Sequence, residues 1–393
     1  MTVQEPIQSD GTGAVDERAP VPPASLQVSN YAVGPVPRLS IKDGDPWIAE
    51  SLRQYLFGQP GGGLPFVRTY LVVDGAARSA VIGYFDLDPE KRHVPIMSLF
   101  DGKSAEELRE TAPYLIDVSL VDHEEEADDD IPLFHRDFFG KHWGRNTGIF
   151  LRSPAPMELI RKHLRRFTRV VLPNGNWAYF RFFDPRVATA YFPALARRPE
   201  KIWQWFTSHE GALIDAIITE LPETPGQVQV LHSRLGRFSE YDPWQNADWG
   251  QDALVFPVAR NDRAATITCD RPDRVFKFDQ SDYAPLAAMM RKKRIGEMSV
   301  RLQRDFPEFL GKFSQQDLFA WTWSSVEMLE RSGFSRQEYL YSLAAFELLY
   351  GTGYQARDPD GTLAAILGSR QDEAAKFRAY KERMSQIFGE SGR

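Results

Sequence analysis

Residues 66–76 read FVRTYLVVDGA, and six of these eleven, Phe66, Val67, Thr69, Tyr70, Val72 and Val73, are β-branched or aromatic. A dense run of that kind closed by Asp74-Gly75 reads as a buried strand ending in a turn. The segments around it repeat the theme. IMSLFDG (96–102) is a second short strand, YLIDVSL (114–120) a third and TGIFLRS (147–153) a fourth. Helical stretches alternate with them. DPWIAESLRQYLFG (45–58) offers Asp45 as N-cap and Pro46 at the first helical position, SAEELRE (104–110) pairs Ser104 with Glu107 as a capping box, and PLFHRDFFGKHW (132–143), MELIRKHLRRF (157–167) and VATAYFPAL (187–195) read as helices. TRVVLPNGNWAYFRFF (168–183) is the clearest hairpin, two β-rich runs around Pro173-Asn174-Gly175-Asn176, where Asn-Gly predicts a type I′ turn.

Working outward, four regions emerge. Residues 1–45 are rich in Pro, Gly, Ser and acids, with APVPPAS at Ala19–Ser25, and predict a mobile arm. Residues 46–200 form an α/β or α+β domain, a mixed sheet with flanking helices. Residues 201–280 are a mixed connecting region in which WQWF (203–206) and PWQNADWG (243–250) lack clean periodicity. Residues 281–393 are an all-α helical domain, with Gly333 and Gly351 at C-cap positions and Ser335 with Glu338 as another capping box.

Composition bounds the function. The chain has 393 residues, 42% hydrophobic and 12% aromatic, enough for two or three domains with proper cores and unlike a disordered chain. A net charge of -7 excludes a uniformly basic nucleic-acid binder, though not a local basic patch. The single Cys269 excludes an internal disulfide framework and any zinc site that needs two cysteines, and fits a reducing, cytoplasmic setting. No apolar stretch is long enough to span a membrane, and the N-terminus lacks the basic and apolar regions of a secretory signal.

Searches for catalytic chemistry return nothing, so no catalytic, cofactor-binding or metal residue is assigned. Asp101-Gly102-Lys103-Ser104 ends like a phosphate loop, but Met97 stands where the earlier glycine belongs. Gly58, Gly61, Gly62 and Gly63 do not form a dinucleotide fingerprint after a strand, and DLDPE (86–90) lacks the later ligands of a calcium loop. His135 and His142, seven apart with Asp137 nearby, lack a further histidine one turn away; a GxSxG elbow is absent; Cys269 sits in an apparent strand, where an inert buried thiol is the default. The acidic run HEEEADDD (123–130) reads as a solvated loop or a dock for a basic partner. Two basic runs, 161–166 and 291–294, read as solvated, salt-linked faces without interleaved exposed aromatics.

One set of motifs goes further. A strand ending in Asp-Gly, then S-L-F-x-G, an A-P-Y-L strand, W-G-x-x-x-G-I-F-L-x-S-P, a basic H-L-R-R-F helix and a closing F-R-F-F-D-P-R together resemble domain of unknown function 4123 over residues 66–196. The resemblance implies an adaptor chaperone of the bacterial type VI secretion system. Such a protein binds a toxic effector in the cytoplasm, shields its apolar segment and loads it onto the valine-glycine-repeat spike protein, without being an enzyme or needing a cofactor, a membrane or nucleic acid. Trp143, Gly144, Gly148, Phe150, Arg152, Arg181, Phe182, Asp184 and Arg186 stand at the family's motif positions. Phe150 and Phe182 are expected in strands and in the core, and Gly144 and Gly148 at turns or close approaches. Asp184-Pro185 should cap a helix, Arg181 and Arg186 should pair with Asp184 or another buried carboxylate or else contact the cargo, and Arg152 is a candidate to hold an acidic group on the cargo. Phe319, Trp321, Trp323, Tyr339, Tyr341 and Phe346 are candidate linings of a cargo groove between the two domains, or else the helical domain's own core. Two rivals are a nucleic-acid binder using the basic runs, and an enzyme built from scattered residues such as Asp74, Asp86, Asp184 and His142.

Overall fold

The computed structural model describes residues 24–33, 47–59, 66–88, 94–120, 133–207, 213–235 and 276–389. The chain divides into two units, residues 1–286 and 287–393. In the first, the chain runs through β1 (Ala24–Ala32), α1 (Glu50–Phe57), β2 (Arg68–Asp74), α2 (Gly75–Ile82), β3 (Ile96–Ser98), α3 (Lys103–Glu107), β4 (Pro113–Asp117) and α4 (Leu133–Asp137). It continues through a π-helical turn (Phe138–His142), β5 (Gly148–Ser153), α5 (Met157–Arg165), β6 (Arg169–Val171), β7 (Trp177–Tyr179), α6 (Pro185–Tyr191) and a 3-10 turn (Phe192–Arg197). Then come α7 (Pro199–Phe206), β8 (Ala216–Glu220), β9 (Gln227–Leu235), β10 (Phe276–Lys277) and the start of α8 (Gln280–Asp305).

FVRTYLVVDGA becomes β2, near the middle of a seven-stranded sheet ordered β1-β9-β8-β5-β2-β4-β3. Period-2 alternation splits its side chains between two cores. Tyr70 and Val72 join Ile149, Leu151, Ile160, Leu164, Tyr191 and Trp205 on one face. Leu71 and Val73 join Phe150, Trp47, Leu52 and Phe138 on the other. Helices cover both faces, so the central strands read as continuous apolar runs rather than as alternating ones. Every strand pair of this sheet is antiparallel. The mixed character lies in a second, three-stranded sheet, β10-β6-β7, where β10 runs parallel to β6.

The region boundaries shift. Of the residues read as an arm, 24–32 form β1, an edge strand paired along its whole length with β9; residues 1–23 and 34–46 lie outside the described residues. Of the residues read as a connection, 203–206 lie in α7, whose Trp205 and Phe206 are buried, and β8 and β9 are inner strands of the main sheet. AIITE, buried on both faces, has no alternation to betray it. The stretch 243–250, Cys269, the acidic run, Gly61–Gly63 and the end of DLDPE lie outside the described residues.

Local chemistry also departs from expectation at several ends. The β6–β7 hairpin does not use a type I′ turn. Gly175 N–H donates to Leu172 O at 2.8 Å, and Leu172 N–H donates to Asn176 O at 2.8 Å. Gly175 has φ +82°, whereas Asn174 is not left-handed. This is a type I turn followed by a left-handed glycine, a three-residue loop, because Pro173 with its fixed φ suits the second turn position. Helix α1 begins at Glu50 with no side-chain cap, not at Pro46. Helix α3 is preceded by Gly102 at φ +53°, and Ser104 lies inside it rather than capping it.

The second unit holds the rest of α8, then α9 (Pro307–Leu310), α10 (Gln315–Arg331), α11 (Gln337–Tyr350), a 3-10 turn (Tyr354–Arg357), α12 (Thr362–Gly368) and α13 (Glu373–Phe388). Its core is formed by Leu302, Leu318, Val326, Leu343, Leu363 and Tyr380 among others. Gly333, at φ +87°, follows α10 as expected. Ser335 and Glu338 form no capping box; the Glu373 carboxylate reaches across from α13 to accept from Ser335 N (2.7 Å) and Arg336 N (2.6 Å) at the start of α11. Among the described residues no helix is long and apolar enough to cross a membrane.

Candidate functional site

The motif segments, distant in sequence, meet at one end of the main sheet. Asp74 ends β2 and caps α2, its Oδ1 accepting from Ala77 N at 3.0 Å. Its other oxygen accepts from the Arg181 guanidinium. Asp184 caps α6 with Pro185 at the first helical position, as the sequence indicates. The Asp184 carboxylate accepts from Arg186 N (3.0 Å), Nε (2.8 Å) and Nη2 (2.6 Å), and lies 3.6 Å from Arg181. The two carboxylates are buried, 3% and 6% exposed, while Arg181 and Arg186 are 42% and 47% exposed. The anions are therefore internal anchors and the cations outward heads, each oriented by charge-assisted bonds.

Glu220 completes this end. The register that pairs Phe150 with Ile218 brings Glu220, the last residue of β8, level with Gly148 at the start of β5. Its carboxylate accepts from Asn146 N at 2.5 Å and from Gly144 N. Gly144 (φ +77°) and Asn146 (φ +56°) both adopt left-handed backbone, which turns their amides onto the carboxylate. Burial pushes the Glu220 carboxyl up to about 7, against the pull of the two amides and with the help of Asp184. Gly148 admits no side chain, since a Cβ there would sit 2.5 Å from Val72 O.

The surface beside this end carries aromatics and arginine. Trp177 and Tyr179 on β7 are 53% and 44% exposed. The Arg169 guanidinium lies 4.8 Å from the Trp177 ring, and Phe100 packs edge-on against Tyr179 with ring centres 5.7 Å apart. The Tyr179 hydroxyl titrates well above its ordinary value, first through desolvation and then through the Asp74 charge nearby. Next to Phe100, Asp101 is ion-paired with Arg161 (2.7 Å) and Arg165, which holds its carboxyl below the ordinary range. Exposed Arg, Trp and Tyr are the residue types that dominate protein-binding surfaces.

The other motif positions are architectural. Phe150 is buried in β5; Phe182 is buried too, but in the turn after β7 rather than in a strand. Half-buried Trp143 packs on Phe139 and Phe150 at ring distances of 5.7 and 6.1 Å. Arg152 cannot hold an acidic group on a cargo. It is fully buried, donating to Leu56 O, Gly58 O and Thr69 Oγ1 (2.8 Å), so it ties the end of α1 to β2. The central place of β5 puts it there, because both faces of that strand are covered and none of its positions reaches solvent.

In the helical unit, the six proposed groove residues are all half-buried against that unit's own core. Trp323 lies under Arg291 at 4.2 Å and near Phe319; Tyr339 stacks on Phe377 at 4.2 Å; Tyr341 donates to Asp305 Oδ2 at 2.6 Å; Phe346 packs near Tyr350. Trp321 likewise packs on the core. Each of the six therefore contributes to the packing of the helical unit itself.

The scattered enzyme candidates separate into two ionic systems. Asp74 and Asp184 are bound to arginines as described. Asp86 is held by Arg78 through two 2.7 Å bonds, with both side chains buried and the guanidinium over the Phe134 ring. His142, also buried, stacks on Phe138 and is held down to about 3, first by desolvation and then by Arg78. His135 bonds Val118 O through Nε2 at 2.8 Å. Among the described residues, no three His, Cys, Asp or Glu side chains gather as metal ligands. The basic runs are partly neutralised within the chain, Arg161 and Arg165 by Asp101 and Arg291 by Glu330 at 2.7 Å.

Glu220, Trp177 and Tyr179 stand outside every motif of the sequence. The signal for the aromatics was available: the period-2 face of a hairpin whose other face is Val170 and Ala178. Glu220 gave none, because only the β5–β8 register brings it to the loop. No curated protein and no solved structure matches the chain. Residues 69–200, however, match the family described as domain of unknown function (DUF4123), and within the first unit the chain carries a domain of that family.

Proposed function

We propose that this chain is a non-enzymatic adaptor chaperone that binds a type VI secretion effector in the bacterial cytoplasm and loads it onto the valine-glycine-repeat spike protein. The match to DUF4123 over residues 69–200 carries the proposal, because that role belongs to the family. The geometry is consistent with it. The motif segments converge to present arginine heads on buried carboxylates beside exposed aromatics, a construction suited to gripping another protein. The three carboxylates offered for catalysis, Asp74, Asp86 and Asp184, are each bound to arginine rather than to one another. No cofactor is required.

The test is capture of the tagged full chain from its native cytoplasm under reducing conditions, with mass spectrometry of what co-purifies. A stoichiometric partner of toxin type, with or without the spike protein, is the expected result. Capture of no protein partner from cells that express the secretion apparatus overturns the proposal.

A further inference from the structure

We propose that β7 is an acceptor edge, to which an extended, acidic segment of the protein partner adds as a fourth strand of the β10-β6-β7 sheet. The inference deepens the adaptor reading and rests on it for the partner being a protein.

The ladder geometry comes first. Among the described residues, β7 has a strand neighbour on one side only, β6. Phe180 N–H donates to Thr168 O at 2.9 Å and Leu172 N–H to Asn176 O at 2.8 Å, so the hydrogen-bonded positions of the hairpin are 168/180, 170/178 and 172/176. Trp177 and Tyr179, opposite Val171 and Arg169, therefore occupy the positions between. Their own N–H and C=O groups point away from β6, spaced as another strand would need them. Among the described residues no backbone group takes them.

The edge also lacks the usual protection. Natural edges are blunted by charge, proline or cover. Trp177-Ala178-Tyr179 has neither charge nor proline, and both rings are exposed. These rings give an added strand apolar surface to lie against, with main-chain bonds for affinity and side-chain contacts for specificity.

Charge then selects the occupant. Arg169 stacks on Trp177 across the hairpin, and Arg181 follows two residues beyond the end of β7 with Arg186 next to it around Asp184. The carboxylates that hold Arg181 and Arg186 are buried, so the charge displayed is positive. Asp101, next to the Phe100 that packs on Tyr179, is already held by Arg161 and Arg165. A strand carrying carboxylates complements this rim, and one carrying lysines is repelled.

The test uses the full chain and short fluorescein-labelled peptides of alternating valine and glutamate, or valine and lysine, read by fluorescence anisotropy. The glutamate peptide is expected to bind at least about tenfold more tightly than the lysine peptide. Arg186→Gln should weaken it about fivefold. Two further glutamate peptides carry N-methyl groups on alternate residues, one in each phase. One phase should abolish binding and the other leave it nearly intact, a readout that needs no protein variant. Equal binding of the two charge types, equal binding of the two methylated phases, or a thymidine oligonucleotide binding as tightly as the glutamate peptide each overturns the inference. Trp177→Pro, which removes one outward donor and no β6 bond, separates the two readings. A captured partner that this folded variant holds as well as the parent refutes the edge but not the adaptor role. Absence of any captured partner, with phase-dependent peptide binding intact, refutes the adaptor role but not the edge.

Discussion

Glu220→Gln tests whether the end of the sheet is built as described. The carboxyl is carried from 4.5 to about 7, chiefly by burial. Each tenfold change in proton affinity is worth about 1.4 kcal/mol, so the charged group opposes folding by roughly 3 kcal/mol once pH exceeds both values. The sign follows from which state holds the proton more tightly. Here the native state does, so the contribution of Glu220 is most favourable below about pH 4.5, worsens as pH rises toward 7 and is constant above that. Glutamine carries no charge and is free of this penalty. It also puts an NH2 group, which cannot accept, where the carboxyl keeps a second oxygen that accepts whether or not it is protonated, so one of the Gly144 and Asn146 amides is left unpaired, at about 1–3 kcal/mol at either pH. The parent should therefore be the more stable chain near pH 4, and its advantage should shrink by roughly 3 kcal/mol by pH 8, to nothing or to a reversal. Other titrating groups are common to both chains and cancel in the difference. The assay is urea unfolding followed by tryptophan fluorescence, with Trp321 and Trp323 replaced by Phe so that no tryptophan of the helical unit reports. A difference that is flat between about pH 4 and 8, or that grows in the parent's favour as pH rises, refutes the placement of Glu220 under the Gly144–Asn146 loop.

Three further outcomes are expected. Arg152→Met should destabilise the first unit by about 3–5 kcal/mol, because Leu56 O and Gly58 O lose their donor and Asp215, a buried carboxyl just before β8 that feels the Arg152 charge, loses that compensation; Arg152→Lys should rescue little, since one ammonium cannot span both carbonyls, and thermal melts of the three chains decide it. His142, neutral in the fold down to about 3, makes the fold lose stability as pH falls below about 6.5, because the unfolded chain takes up the proton first; His142→Phe should remove roughly 3 kcal/mol of that loss by pH 4, read as a smaller acid shift of the urea midpoint. Glu373→Ala should weaken the helical unit by about 1 kcal/mol through loss of the cap on α11; since hydrogen bonds from Arg336 and Ser335 hold this carboxyl below its ordinary value despite desolvation, the contribution is present above about pH 4.5 and disappears as pH falls, and far-ultraviolet circular dichroism in urea at two pH values checks both size and sign.

The sequence was legible where one segment determines its own state. β2, the Asp184-Pro185 start of α6, the β6–β7 hairpin and the helical character of the last third follow from local pattern, and so does the pairing of Arg181 and Arg186 with buried carboxylate. Illegible were the features set by distant partners. β1 reads as an arm because ASLQVSNYA follows a proline-rich stretch and its alternating face is short, with only Leu26 and Val28 as large apolar residues; its pairing with β9 makes it a strand. β8 hides in a short apolar run, Arg152 looks like a surface cation until both faces of β5 are known to be covered, and the cap on α11 comes from another helix altogether. Turn chemistry misled for a different reason: Asn-Gly favours one turn, but Pro173 ahead of it favours another, and the proline prevails because its φ is covalently fixed.

The family's motif residues divide by burial, and the division says which of them can act. Gly148, Phe150, Arg152 and Phe182 are internal, and their identity is explained by packing and by hydrogen bonds that no partner can share. Asp74 and Asp184 are internal too, as is Glu220 outside the matched residues, but each holds something at the surface in place: two guanidinium groups and a left-handed loop. A buried carboxylate that orients an exposed arginine removes rotamer freedom from that arginine before any partner arrives, which lowers the entropy lost on binding. The same device explains why the fingerprint identifies the domain more sharply than any one contact residue does. Trp177, Tyr179, Arg181 and Arg186 are the exposed side chains of this end, and the carboxylates, glycines and phenylalanines beneath them are required by the fold that presents them.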